Sequence, residues 1–188
     1  GWGWGTVIAD LNLDGHVDIV ETNGWALPAY TGETSKVWIS DGAGSFEERA
    51  VELGLVHDLF GLGVISLDID NDGDQEIGIT TPNDVFRLYR NDLATKDAHW
   101  LRVILDTSGR TDLAPDGFGA VVRVDAGNAE QTRHIAGCSN FSTQSELVAH
   151  FGLGTAAGPV AVVVEWPDGS TTQVDSAVDQ TIVVTPEG

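Results

Sequence analysis

Asp68-Ile-Asp70-Asn71-Asp72-Gly73-Asp74-Gln75-Glu76, preceded 58 residues earlier by Asp10-Leu11-Asn12-Leu13-Asp14-Gly15-His16-Val17-Asp18, decides the reading of this 188-residue chain. Each stretch sets oxygen-bearing side chains at loop positions 1, 3, 5 and 9 around a glycine at position 6, the pattern by which a tight loop wraps a hard cation. Calcium accepts six to eight oxygen ligands in forgiving geometry, so alternate side chains can converge on it while position 7 adds a backbone carbonyl. The expected ligands are Asp10, Asn12, Asp14, Asp18 and the His16 carbonyl in the first loop. In the second they are Asp68, Asp70, Asp72, Glu76 and the Asp74 carbonyl. Two calcium ions are therefore expected, the first held more weakly because Asn12 stands where the second loop has Asp70. Asx-type turns without metal are the plainer alternative, and recurrence of the whole unit argues against it.

The flanks exclude an EF-hand. No glutamate closes a twelve-residue loop, and the neighbouring segments are β-like: Thr6–Ala9 and Val64–Leu67 before the loops, Ile19-Val20 and Ile77–Ile79 after them. Gly1-Trp2-Gly3-Trp4-Gly5 stands ahead of its loop as Phe60-Gly61-Leu62-Gly63 stands ahead of the second. The repeating unit is thus a Gly-x-Gly lead-in, an apolar strand, a loop and a second strand, and a fixed period of this size implies stacked supersecondary units. Between the loops, 37–46 reads as a hairpin closed by a glycine-rich turn, and 85–91 as the equivalent strand of the next unit.

These residues resemble the FG-GAP (or VCBS) repeats of integrin-type β-propellers over about residues 1–95. The resemblance implies that the metal ties a loop at a blade edge and does no chemistry. Propellers close with several blades, and the chain supplies about two, with the first already under way at residue 1 and no methionine anywhere. The expectation is a C-terminal piece of a larger protein, whose partner is a further copy of itself or another polypeptide completing the propeller.

Near residues 92–99 the texture changes. Seven valine-rich segments follow, at 100–105, 120–124, 130–135, 147–151, 160–166, 171–174 and 180–184, separated by turns such as Pro115-Asp116-Gly117 and Pro167-Asp168-Gly169. Short strands at this spacing predict a small antiparallel β-sandwich. His99-Trp100, Gly119-Ala120, Gly137, Ser142-x-Gln144-Ser145, His150-Phe151-Gly152-Leu153-Gly154 and Glu165-Trp166-Pro167-Asp168-Gly169 run in the order of the ASPIC/UnbV domain, which the segment resembles. That family follows FG-GAP/VCBS propellers in many secreted proteins and brings no established chemistry with it. The expected fold is all-β: a partial β-propeller of about two blades over 1–97, then an ASPIC/UnbV sandwich over 98–188.

With 29 acidic against 9 basic residues the net charge is −20, which argues against nucleic acid and anionic membrane surfaces. No apolar run reaches the roughly 18–20 residues of a membrane span, so no membrane insertion is expected. Extracellular calcium modules bind at about 10⁻⁴ to 10⁻³ M, which favours a secreted or extracellular location, or a bacterial surface or periplasm. The single cysteine, Cys138, excludes an internal disulfide framework. It reads as a small buried hydrophobe, with a bridge or reactive thiol as the alternative. The five histidines, at 16, 57, 99, 134 and 150, show no zinc-helix spacing. The only conceivable nucleophile cluster is Cys138-Ser139 with His134 or His150. The composite reading is a non-catalytic, calcium-stabilised module for adhesion or assembly. A glycan-binding module is the second, since Trp2, Trp4, Trp25 and Trp38 could stack on sugar rings, and a hydrolase is the third.

Overall fold

The computed structural model describes residues 2–25, 32–82, 84–127, 129–137 and 140–187. Gly1, Cys138 and Ser139 lie outside them, so the expectations placed on the cysteine cluster concern residues whose structure is not described. The described residues are all-β, with no α-helix and one 3-10 turn at Pro115–Gly117. None forms a helix long and apolar enough to cross a membrane.

Contacts divide the chain into two units. The first comprises Gly1–Leu11, His16–Leu93 and Cys138–Glu146, and the second Asn12–Gly15, Ala94–Gly137 and Leu147–Gly188. In the first, β1 (Gly3–Ala9), β2 (Asp18–Asn23), β3 (Lys36–Ser40) and β4 (Phe46–Glu48) form a four-stranded antiparallel meander. Period-2 alternation explains β1: Gly5, Val7 and Ala9 point inward while Ile8 points to solvent. A second meander follows, β5 (Gly63–Leu67), β6 (Glu76–Thr80) and β7 (Arg87–Tyr89). Strand β7 is shorter than the 85–91 segment predicted, because Val85 and Phe86 are exposed and the Val85 N–H is taken by the Asp84 side chain at 2.7 Å.

Strand β5 packs against β1 and β2, and one core unites both sheets: Val7, Ala9, Leu11, Val20 and Val37 with Val64, Ile77 and Ile79. The sheets approach closely at Gly5, where an added Cβ would sit 2.9 Å from the Val64 backbone nitrogen. Only a glycine fits there.

The second unit contains β8 (His99–Leu105), β9 (Val121–Asp125), β10 (Glu130–His134), β11 (Val148–Gly154), β12 (Val160–Glu165), β13 (Thr171–Ser176) and β14 (Gln180–Val184). They form two sheets, β10-β9-β12-β13 and β11-β8-β14, whose apolar faces share one core built on Leu101, Val103, Val122, Phe151, Val162, Val164 and Trp166. The Trp166 indole donates to Thr172 Oγ1 at 2.9 Å, satisfying its one polar atom inside that core. The expected antiparallel sandwich needs one correction: β14 pairs with β8 in parallel, Gln180 opposite Leu101 through Val184 opposite Leu105. Strand alternation fixes which face is buried, but says nothing of the direction in which a returning strand joins a distant partner.

Candidate metal centre

Both loops close a β-hairpin at the same place. The last ladder pair before the first loop is Ala9 with Asp18, and before the second Leu67 with Glu76. Inside, the backbone repeats as well. Position 4 is left-handed in each, Leu13 at φ 57° and Asn71 at φ 61°, and position 6 is Gly15 at 93° and Gly73 at 96°. A left-handed non-glycine residue costs on the order of 1–2 kcal/mol. Leu13 accepts this cost where asparagine tolerates it better, and its side chain is buried.

The hydrogen bonds around the loops are also duplicated. The position-9 carboxylate is buried in both copies, Asp18 and Glu76. Asp18 Oδ2 accepts the Leu11 N–H at 2.9 Å and its Oδ1 the Ser40 N–H at 2.9 Å. Glu76 Oε2 accepts the Ile69 N–H at 3.0 Å and its Oε1 the Asn91 N–H at 3.4 Å. In each repeat one carboxylate therefore ties the start of its loop to the end of the third strand. At the other end of the hairpin, Gly5 and Gly63 each donate an N–H at 2.9 Å to Thr22 and Thr80 Oγ1, and each hydroxyl reaches back to the same glycine's carbonyl.

The two loops differ in how they gather their oxygens. Among the described residues the structure brings together Asp68, Asp70 and Glu76, with one ligand atom from each within 4.8 Å of the others. Asp68 Oδ2 accepts the Gly73 N–H at 3.1 Å, and Asp72 Oδ1 accepts the Asp74 N–H at 3.0 Å. Asp70 and Asp72 are exposed, Asp74 half-buried. In the first loop, Asp10, Asp14 and Asp18 do not form such a group. There the Asn12 amide donates to Asp14 Oδ2 at 2.9 Å, so positions 3 and 5 hold each other. His16 is exposed, its ring lying over the backbone of Gly42, which leaves only its carbonyl for a loop ligand.

Electrostatics follow from this crowding. Burial, then the charges of Asp72, Glu76, Asp92 and Asp68, push the Asp74 carboxyl up to about 6. Burial also raises Glu76, with Asp70 and Asp72 adding to it and the N–H groups of Ile69 and Asn91 opposing it. Like charges held this close favour either a proton or a cation among them. The donor set fits calcium: every side-chain donor is oxygen, and no sulfur or imidazole stands among the expected ligand atoms.

Two residues at this site escaped the sequence reading. Asn91 is buried, and its Nδ2 donates to the Leu11 carbonyl at 2.8 Å and to the Gln75 carbonyl at 3.2 Å, one from each loop. In sequence it is only the polar end of a short strand. Glu146 accepts the Asp68 N–H at 3.4 Å across 78 residues, a separation that no local pattern signals.

The histidines are accommodated separately. His57 is buried, with Ser35 Oγ at 3.4 Å and Thr81 Oγ1 at 3.1 Å from its two ring nitrogens. In the second unit, His99 Nδ1 lies 2.7 Å from Asp179 Oδ2, the same carboxylate that accepts the Trp100 N–H.

Residues 110–188 match the family described as ASPIC and UnbV. The match covers the C-terminal part of the chain, with the Gly119-Ala120, Phe151-Gly152-Leu153-Gly154 and Trp166-Pro167-Asp168-Gly169 motifs inside it. Strand β8 precedes it, yet pairs with both β11 and β14 and belongs to the same fold. No curated protein matches the chain.

Proposed function

We propose that residues 1–97 are two calcium-loaded repeats of FG-GAP/VCBS type, blades of a propeller completed by a further copy or another polypeptide. On this reading the chain is a secreted, non-catalytic module for adhesion or extracellular assembly. The observation that carries it is the duplication of the whole constellation 58 residues apart: loop spacing, left-handed positions 4 and 6, the bridging carboxylate at position 9 and the glycine–threonine clasp. Calcium would be held by Asp68, Asp70, Asp72, Glu76 and the Asp74 carbonyl, and more weakly by Asp10, Asn12, Asp14, Asp18 and the His16 carbonyl. The ion supplies structure by neutralising carboxylates that otherwise repel.

Metal analysis of the chain equilibrated in millimolar calcium tests this. Two ions per chain and a melting temperature lowered by chelator are expected; fewer than two ions, or an unchanged melt, would count against it.

A second reading, glycan binding, rests on the aromatic cluster of the first unit. Trp4 and Trp25 stack with centroids 4.9 Å apart, and Trp2 lies 5.4 Å from Trp25 with 42% of its surface exposed. The exposed face of Trp2 has the flat apolar character that sugar rings stack on. Glycan-array binding abolished by Trp2→Ala would favour this reading.

A further inference from the structure

The segment 140–146 lies within the ASPIC/UnbV match, yet clusters with the first unit along the outer edge of β5. It has no regular strand of its own beyond a bridge between Asn140 and Thr143. Its side chains take the edge groups of every second residue. Asn140 Nδ2 and Thr143 Oγ1 donate to the Val64 carbonyl at 3.0 and 2.9 Å. Ser145 Oγ accepts the Ser66 N–H at 3.1 Å, and Glu146 Oε1 accepts the Asp68 N–H at 3.4 Å. Residues 64, 66 and 68 present their polar groups on the side away from β6, so the segment covers a strand edge without adding a strand. At its start the Phe141 ring packs edge-on against Trp4 with centroids 5.0 Å apart. At its end it reaches the first residue of the second metal loop.

We propose that Glu146 is a positioning residue for the cation of the second loop, and that calcium there clamps the segment 140–146 onto β5. The inference rests on the calcium reading above and adds a regulation to it. Asp68 is fixed from two sides: its N–H by Glu146, and its Oδ2 by the Gly73 N–H that closes the loop. Holding the backbone of position 1 sets where its carboxylate meets the ion. Without a cation, Glu146 adds a further negative charge to those of Asp68, Asp70, Asp72 and Glu76, which works against docking of the segment. A divalent cation reverses that sign. Because coupling between two binding events is reciprocal, whatever holds the segment down must tighten calcium by the same factor. The effect belongs to the second loop alone, since that is the loop Glu146 touches.

The test uses the full chain with the first loop disabled by Asp10→Asn and Asp14→Asn, so that calorimetry reads one site. Loss of a hydrogen bond to a carboxylate predicts calcium affinity about tenfold weaker in Glu146→Ala. Glu146→Gln, which keeps an acceptor for the Asp68 N–H but removes the charge, should fall between the parent and Glu146→Ala. Hydrogen exchange supplies the second readout: calcium should raise protection across 64–68 and 140–146 in the unsubstituted chain and fail to do so in Glu146→Ala. Ser145→Ala, which loosens the segment without touching a carboxylate, should weaken calcium several-fold and serves if Glu146→Ala does not fold. Unchanged affinity in Glu146→Ala would overturn the proposal, as would a Gln variant as weak as the Ala variant, or protection of 140–146 indifferent to calcium. If the unsubstituted chain binds no calcium in either loop, the calcium reading itself has failed. That outcome is read before any substitution is made.

Discussion

Replacing Glu76 separates the loop-closing role of its carboxylate from the calcium-binding role proposed for it. The side chain is almost completely buried and accepts the N–H groups of Ile69 and Asn91 while facing Asp70 and Asp72. Glu76→Ala leaves the buried Asn91 N–H and the part-buried Ile69 N–H without their acceptor, at about 1–3 kcal/mol each. Part is returned because a buried charge is removed, so a net loss of roughly 2–4 kcal/mol is expected in chelator. Glu76→Gln behaves differently. Its carbonyl still receives the shorter bond from Ile69, and its amide now donates toward carboxylates that formerly repelled it. Its amide also stands where the Asn91 N–H found an acceptor, so in chelator its stability should lie between those of the Ala variant and the parent. On the proposed reading, what the Gln variant should lose is calcium. With a dissociation constant near 10⁻⁴ M and 1 mM free ion, a filled site adds about 1.4 kcal/mol by mass action, or roughly 6–11 °C for a unit of about this size. Calorimetric melts with and without calcium check both statements. The reasoning fails if the Gln variant is as unstable as the Ala variant in chelator, or if it keeps the full upward shift when calcium is added.

Asn91→Ala removes the donor shared by Leu11 and Gln75; a loss of about 2–4 kcal/mol and weaker calcium binding at both loops are expected by melting and calorimetry. Gly5→Ala forces a Cβ to 2.9 Å from the Val64 nitrogen and 3.1 Å from the Leu62 carbonyl, and should cost about 1–3 kcal/mol in the first unit while leaving the unfolding of the second in place. For His57, burial and then the charge of Arg87 hold the ring below its usual pKa, with Asp58 and Asp84 opposing and the neutral groups of Ser35 and Thr81 at its nitrogens. A histidine depressed in the folded state contributes stability that is intact above the unfolded value of about 6.5 and is lost as pH falls below it. The melting temperature in saturating calcium should therefore decline between pH 7 and 5.5 more steeply in the parent than in His57→Gln, and parallel profiles would contradict this.

Much of the architecture was legible because the physics that writes it is local. Alternation along β1, the loop spacing 10–18 and 68–76, and turn residues such as Pro167-Asp168-Gly169 each depend on neighbours within a few positions. The parallel pairing of β14 with β8 was not legible, because nothing in Gln180–Val184 encodes the direction of a partner about 80 residues away. Asn91 was missed for a related reason. An asparagine after a strand reads as a turn former, and only the folded chain shows its amide set between carbonyls from residues 11 and 75.

The repeat also conceals an asymmetry that its spacing alone cannot express. By position the loops differ in one conspicuous ligand, Asn12 against Asp70, which predicts weaker binding through one missing charge. The structure adds a second reason: an amide at position 3 can donate, and Asn12 does so to Asp14, turning two prospective ligands toward each other. Asp70, acceptor-only when ionised, has no such option and joins Asp68 and Glu76 instead. A cation entering the first loop competes with the Asn12–Asp14 bond for an Asp14 oxygen, whereas in the second it relieves a repulsion already present. The difference between the sites should therefore exceed what one charge supplies, and Asn12→Asp should strengthen the first loop by removing the internal donor as well as by adding a carboxylate. Calorimetry on Asn12→Asp and Asn12→Ser, the serine carrying an oxygen but no amide donor and no charge, separates the two contributions. If Asn12→Ser binds no more tightly than the parent, the missing charge alone sets the order of the sites.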